Sequence, residues 1–275
     1  MAASDGSGLR YKDKVTIVTG GSKGIGKGCV EVFVKNGSKV VFCSRGESEG
    51  KQLEQELNAV GPGEAYFVPC DVSNEDDIKN LIDKTVEKYG QIDCLINNAG
   101  SHPPFHTIDE FSADDFRSLL NLNLVSYFLA AKYALPYLRK TEGNIINDSS
   151  LVGQIGQTGA VTYVATKGGI TAMTKALAVD ESKYNVRVNS FSPGNVWTPL
   201  WENAANNEKD TQGCIKGGAN AQLLGRFGTI EECGQACLFL AAEGTFCTGI
   251  DLNLSGGAEL NYGFKNMRER TGIYQ

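Results

Sequence analysis

The chain has 275 residues, of which 41% are hydrophobic and 21% charged, with a formal net charge of −6. That length and apolar content suit a large buried core, arranged as one α/β domain or two small ones. Acidic and basic residues are interspersed, which argues against nucleic acid as a partner, and no apolar run approaches the ~20 residues of a membrane span.

The opening Met1-Ala-Ala-Ser-Asp-Gly-Ser-Gly8 lacks the apolar centre of a secretory leader. It reads as a disordered tail over residues 1–10, ahead of a single domain over 11–275 with no linker, repeat or low-complexity tract inside it. The first strand signal is the β-branched run Val15–Thr19, and Gly20-Gly-Ser-Lys-Gly24-Ile-Gly26 follows it directly. A helical pattern then covers Gly24–Lys35, with Gly37 as its stop. Strand, glycine-rich turn and helix together form a cradle for a dinucleotide pyrophosphate. Backbone N–H groups approach the phosphates there, and the helix N-terminus adds a favourable dipole. The spacing is Gly-x-x-x-Gly-x-Gly, unlike the common Gly-x-Gly-x-x-Gly. Cofactor contacts are expected from Gly20, Ser22, Lys23 and Ile25.

A second strand over Lys39–Cys43 runs into Ser44-Arg45. An acidic residue at this point would accept from a ribose 2′-hydroxyl and repel a 2′-phosphate. Ser44 instead offers a hydroxyl, and Arg45 a planar cationic fork suited to phosphate. Lys23 adds a second positive charge, whereas Glu47 and Glu49 lie close enough in sequence to neutralise Arg45. The balance favours NADP as cofactor, with NAD as the alternative.

Alternation continues to the end of the chain: helix Ser48–Asn58, strand Ala65–Pro69, helix Glu75–Tyr89, strand Cys94–Asn97, a long helix Ala113–Leu138 and strand Gly143–Asp148. Helix Tyr163–Ser182, strand Val186–Phe191, helix Glu231–Leu240 and strand Ile250–Leu254 complete it. Such βαβα alternation with near-continuous apolar strands implies a single-domain, Rossmann-type α/β fold. It would be a doubly wound parallel sheet of about seven strands with helices on both faces. Ligands of such sheets bind beyond the carboxyl ends of the strands. The eight cysteines form no Cys-x-x-Cys pair, and without a leader they read as buried, reduced thiols in a cytoplasmic protein. Cys233 and Cys237 stand one helical turn apart and read as core packing.

Tyr163 and Lys167 carry the strongest chemical signal. One turn apart on a helix, their side chains share a face. Tyrosine alone is a poor proton-transfer group at neutral pH, but an ammonium beside it favours the phenolate. The pair suits taking a proton from an alcohol, or giving one to a carbonyl, while a hydride moves elsewhere.

Thr19-Gly-x-x-x-Gly-x-Gly26, Asn97-Asn-Ala-Gly100, Asn123, Ser150, Tyr163-x-x-x-Lys167 and Pro193-Gly194 stand in the order and spacing of short-chain dehydrogenases/reductases. The chain resembles that family over nearly its whole length. Asn97-Asn-Ala-Gly-Ser-His-Pro-Pro104, Ser149-Ser-Leu-Val-Gly153, Ser192-Pro-Gly-Asn-Val-Trp-Thr-Pro-Leu-Trp201 and Gly256-Gly-Ala-Glu-Leu260 resemble its type 14 17β-hydroxysteroid dehydrogenases. The resemblance implies an NAD(P)-dependent oxidoreductase interconverting a secondary alcohol and a ketone. A hydroxysteroid is the first substrate class, and a sugar lactol of the L-fucose type the alternative. Ser44-Arg45 departs from the type 14 pattern, which has an acidic residue there and uses NAD.

By the same resemblance Tyr163 is the general acid/base and Lys167 its partner, also bonding the nicotinamide ribose. Ser150 orients the substrate oxygen, the family spacing selecting it over Ser149, and Asn123 completes the set with a proton-relay water. Asp71 and Val72 meet the adenine, Asn97 to Gly100 (Asn98 and Gly100 above all) pass close to the ribose, and Val196 and Thr198 hold the carboxamide. Asn121 lies two positions from Asn123 and so on another face.

The substrate pocket draws on His102, Ser150, Gln157 and Trp197. Trp197, Leu200 and Trp201 open a loop continuing through Glu202–Ala221, which reads as a lid. Tryptophans fit a steroid, while His102 and Gln157 fit a sugar equally well. With His106 as the one other histidine, no metal site is expected. A catalytically silent dinucleotide-binding scaffold is the non-enzyme reading, and the presence of Tyr163, Lys167 and Ser150 together argues against it. Leu129, Ala130 and Ala134, with Ala172 and Ala176, put apolar and small residues on more than one face of the two long helices, so a homotetramer is expected.

Overall fold

The computed structural model describes residues 8–260. Its strands are β1 (Val15–Thr19), β2 (Lys39–Ser44), β3 (Glu64–Pro69), β4 (Cys94–Asn97), β5 (Asn144–Asp148), β6 (Arg187–Pro193) and β7 (Asp251–Leu254). They form one seven-stranded sheet in the order β3-β2-β1-β4-β5-β6-β7, and every pairing is parallel. Strand order therefore reverses between β1 and β4, which opens a crevice at the carboxyl ends of those strands.

Burial explains the apolar strand runs. β1 and β4 are buried along their whole length, and so is β5. On one face lie α1 (Gly24–Lys35), α2 (Glu47–Val60) and α10 (Ile230–Ala242), packing Cys29, Phe33, Leu53, Cys233 and Cys237 against Phe42, Ile96 and Ile146. On the other lie α3 (Glu75–Tyr89), α5 (Ser126–Thr141) and α7 (Val161–Glu181), packing Ile78, Leu81, Ala134, Leu138 and Ala178 against Ile17, Leu95 and Ile145. α1 and α10 approach so closely that a Cβ on Gly28 would stand 2.1 Å from the Ile230 carbonyl oxygen. Only glycine fits that crossing. At the other end of α10, Arg187 Nη1 donates to the carbonyls of Leu240 (2.6 Å) and Gly244 (2.9 Å), meeting the open acceptors of the helix end.

The long helix expected over Ala113–Leu138 is not continuous. It divides into α4 (Ala113–Leu120), a π-helical turn over Asn121–Val125 and α5. Two further departures concern short helices: α6 (Val152–Ile155) was not foreseen, and the loop expected after Trp197 folds into α8 (Pro199–Asn206) and α9 (Thr211–Asn220). Thr198 and Asp210 cap them through their side chains, a signal present in the sequence. The tail expected over residues 1–10 lies outside the described residues up to Ser7, and Arg10 forms an ion pair with Glu243 at 2.6 Å. Among the described residues no helix is long and apolar enough to cross a membrane.

Ala130 and Ala134 are buried in the chain's own core, and half-buried Leu129 packs against it. The exposed apolar residues on these helices are Phe128, Val161 and Val179, with Ala172 and Ala176 beside the last.

Candidate active site

The turn between β1 and α1 is held shut from within. Gly20 has φ +68°, and a Cβ on Gly26 would lie 2.3 Å from the Gly20 oxygen and 2.5 Å from Asn98 Nδ2. Asn98 Nδ2 donates to the Thr19 carbonyl (2.9 Å) and the Gly20 carbonyl (3.2 Å), while Thr19 Oγ1 accepts from the backbone N–H groups of Asn98 and Ala99. This fastens the loop after β4 to the cradle and brings Asn98, Ala99 and Gly100 into the crevice. No side chain caps the first turn of α1. Its open N–H donors and the missing Cβ atoms fit a pyrophosphate, with half-buried Ser22 and Ile25 on the turn.

At the rim of β2, Ser44 is half-buried and Arg45 exposed. Arg45 stands near enough to Asp71 to help hold that carboxyl below its usual range, after the larger effect of the Ser73 backbone and hydroxyl donors. Val72 is buried beside it. Lys23 is paired with Glu49 at 2.7 Å. Glu49 thus occupies Lys23, and the second positive charge expected for a phosphate is engaged in this structure.

The Tyr163–Lys167 pair lies as its spacing implies. Lys167 is buried, and its Nζ donates to the Asp148 carbonyl at 2.7 Å while standing 5.7 Å from the centre of the Tyr163 ring. Ser150 is half-buried just past β5. Ser149 is fully buried and bonds the Lys167 carbonyl and Thr171, so it faces the helix layer and not the crevice. Asn123, in the π-helical turn, accepts from the Ser101 N–H through Oδ1 and donates through Nδ2 to the Ser101 carbonyl and Thr166 Oγ1. Both of its amide hydrogens are engaged, which fastens the loop after β4 to α7. Thr166 in turn donates to the Tyr163 carbonyl at 2.7 Å. Thr19, which heads the Thr-Gly-x-x-x-Gly-x-Gly motif, and Thr166 are structural partners to which the sequence assigned no role. A hydroxyl at the end of a strand beside glycines was the available signal for the first.

The His102 ring packs tilted against Tyr163, with centroids 4.2 Å apart and planes 43° apart. Its Nδ1 lies 2.6 Å from the Pro103 carbonyl and its Nε2 3.1 Å from Gln157 Oε1. A doubly protonated ring meets both contacts, as does a neutral ring once the Gln157 amide is turned over. Three of the residues assigned to chemistry or substrate therefore meet. Trp197 stands apart from them, packed on Phe227 at 5.2 Å and near Trp201 at 6.5 Å.

One site residue was missed altogether. Asp148, the last residue of β5, is buried, and its Oδ1 has no hydrogen-bond partner. Burial pushes its carboxyl up to about 6, the Lys167 charge opposing. The sequence signal was a charge closing an otherwise apolar strand.

A family model described as short chain dehydrogenase matches residues 14–209. The chain belongs to this family. Its members work with NAD or NADP, which agrees with the cradle at the β1–α1 turn. L-fucose dehydrogenase of Bos taurus is 54% identical over 258 residues, covering 94% of each chain. Among solved structures, the ligand-free aldohexose dehydrogenase of Thermoplasma acidophilum is 32% identical with a TM-score of 0.84, covering 93% of this chain and 98% of its own. L-sorbose reductase of Gluconobacter frateurii, complexed with NADPH and L-sorbose, is 26% identical with a TM-score of 0.87, covering 92% of this chain and 99% of its own. The family expected from the motifs stands. The type 14 hydroxysteroid likeness gives way to relatives named for sugars.

Proposed function

We propose that this short-chain dehydrogenase oxidises the ring hemiacetal of an L-fucose-type sugar to the lactone, with NADP favoured over NAD. The observation that carries the reading is His102 packed against the Tyr163 ring and paired with Gln157, polar side chains beside the group assigned to proton transfer. Such groups suit a substrate with several hydroxyls. The L-fucose dehydrogenase relatives support it. A bound nicotinamide would supply hydride acceptance. In this reading the Tyr163 phenolate takes the proton of the anomeric hydroxyl, Lys167 stabilises that phenolate, and Ser150 donates to the same oxygen. Gly20, Ser22 and Ile25 line the pyrophosphate, Asp71 and Val72 the adenine, Asn98 and Gly100 the ribose, and Val196 and Thr198 the carboxamide.

NADP preference rests on Ser44 and Arg45 alone, because Lys23 must leave Glu49 to contribute. The hydroxysteroid reading has the Trp197–Trp201–Phe227 cluster in its favour. Initial rates with L-fucose and with a 17β-hydroxysteroid, each with NADP and NAD, separate the two. The sugar reading expects turnover of L-fucose and little of the steroid, and steroid turnover alone would overturn it.

A further inference from the structure

Asp148 lies at the carboxyl end of β5, opposite Phe191 of β6. Its neighbours in sequence turn their side chains to α7: Asn147 Nδ2 donates to Thr174 Oγ1, and Ser149 Oγ bonds the Lys167 carbonyl and Thr171. Strand alternation therefore sends the Asp148 side chain to the opposite face. That is the face of Val196 and Cys233, the side on which the Gly20–Ile25 turn leads into α1. In the proposed site a dinucleotide with its pyrophosphate on that turn would run along the carboxyl ends of the strands toward Tyr163, on the side of the sheet that carries Asp148. The carboxyl is buried on that face at the carboxyl end of β5, and its Oδ1 has no partner.

Its charged surroundings are few. Lys167 of α7 donates to the Asp148 backbone carbonyl, and so does the Tyr127 hydroxyl of α5 at 3.3 Å. Tyr163 shares the α7 face with Lys167. From α10 the thiols of Cys233 and Cys237 feel the carboxyl, with Cys29 of α1 at 3.7 Å from Cys237. Burial pushes the Cys233 and Cys237 thiols and the Tyr127 phenol upward, so they stay neutral. Among the described residues Lys167 is thus the countercharge named for Asp148.

We propose that Asp148 couples protonation to the redox state of the bound nicotinamide, losing its proton when the oxidised, cationic ring is bound and keeping it when the reduced ring is bound. A cation placed beside a buried, singly countered carboxyl favours the anion, while a neutral ring adds only desolvation. Below about pH 6, where the free carboxyl starts protonated, up to one proton is released to solvent in the first case and none in the second. The role rests on the proposed nucleotide site. It would make the ratio of affinities for the two redox states depend on pH, and it explains an unpartnered carboxyl that proton transfer at Tyr163 does not use.

The test is dissociation constants for NADP⁺ and NADPH between pH 5 and 8, with wild type and Asp148→Asn. Both nucleotides carry the same 2′-phosphate, so its titration cancels in the ratio. In wild type, affinity for NADP⁺ relative to NADPH should fall about tenfold per pH unit below pH 6 and level off above pH 7. The variant should lose that tenfold slope. Calorimetry of the wild type in two buffers of different ionisation enthalpy should detect proton release near pH 6 with NADP⁺ and none with NADPH, a readout independent of how the variant folds. A flat ratio in wild type, the same slope in both proteins, or no proton release would overturn this role and leave the nucleotide site standing. No binding of either nucleotide would overturn both.

Discussion

Replacing Asp148 by Asn should stabilise the ligand-free protein, increasingly so as pH rises. The carboxyl titrates at about 6 in the fold, against roughly 3.9 in an unfolded chain. A folded value raised above the unfolded one means that the group is tolerated when protonated and costs stability once ionised. The neutral-state stability is fully present below about pH 4 and is lost as pH rises through about 6. Roughly two pK units at about 1.4 kcal/mol each give a full cost of about 3 kcal/mol at pH 8. Part of it remains at pH 4.5, so the advantage of the Asn variant should grow by about 2 kcal/mol between pH 4.5 and pH 8. For a chain of this size that is on the order of 4–8 °C in melting temperature. A buried amide hydrogen left unpaired in the variant adds a cost at every pH, so the readout is the change with pH. Urea denaturation of both proteins at matched concentration and several pH values measures it. An advantage that does not vary with pH, or that grows as pH falls, would refute the assignment of a buried, unpaired carboxyl at this position.

Cofactor choice gives a second expectation. Arg45→Gln should remove most of the NADP preference, a loss of about 1.5–3 kcal/mol, or roughly tenfold to a hundredfold in kcat/KM ratio. Ser44→Asp should reverse the preference, and kinetics with both nucleotides that left it unchanged would show Arg45 to be only solvated. Gly26→Ala drives a Cβ to 2.3 Å from the Gly20 oxygen. By the cost of overpacking, about 1–3 kcal/mol, it should weaken nucleotide binding by roughly tenfold to a hundredfold, read by fluorescence titration. Exposed Phe128, Val161 and Val179 leave apolar surface on α5 and α7, and light scattering at micromolar concentration should report a homotetramer, with a monomer counting against it.

The sheet was legible because its central strands are buried on both faces, so that β1 and β4 fall where expected and the others shift by a residue or two at their ends. The catalytic pair was legible for a similar local reason, Tyr163 and Lys167 being one turn apart on a single helix. Breaks set by tertiary contact were not. The π-helical turn exists where Asn123 bonds Ser101 and Thr166, one in a loop and one in another helix; helical periodicity across 113–138 does not show it, and the one hint was an Asn amide able to interrupt backbone bonding. Glu47 and Glu49 read as neutralising Arg45, yet it is Lys23 that has Glu49, in the first turn of α2, as its partner. Asp148 was hidden by its place in the strand, since alternation does not tell which face of a doubly covered sheet looks on a crevice.

The central claim is hydride transfer to a nicotinamide with proton transfer at Tyr163. Oxidation of L-fucose with NADP⁺ by wild type and Tyr163→Phe tests it most directly, with NADPH formation followed at 340 nm (a general property of reduced nicotinamide) and nucleotide affinity measured alongside. Removal of a general acid/base should lower kcat by roughly 10²–10⁴ while leaving nucleotide affinity within a few-fold. Equal turnover by the two proteins would contradict the account.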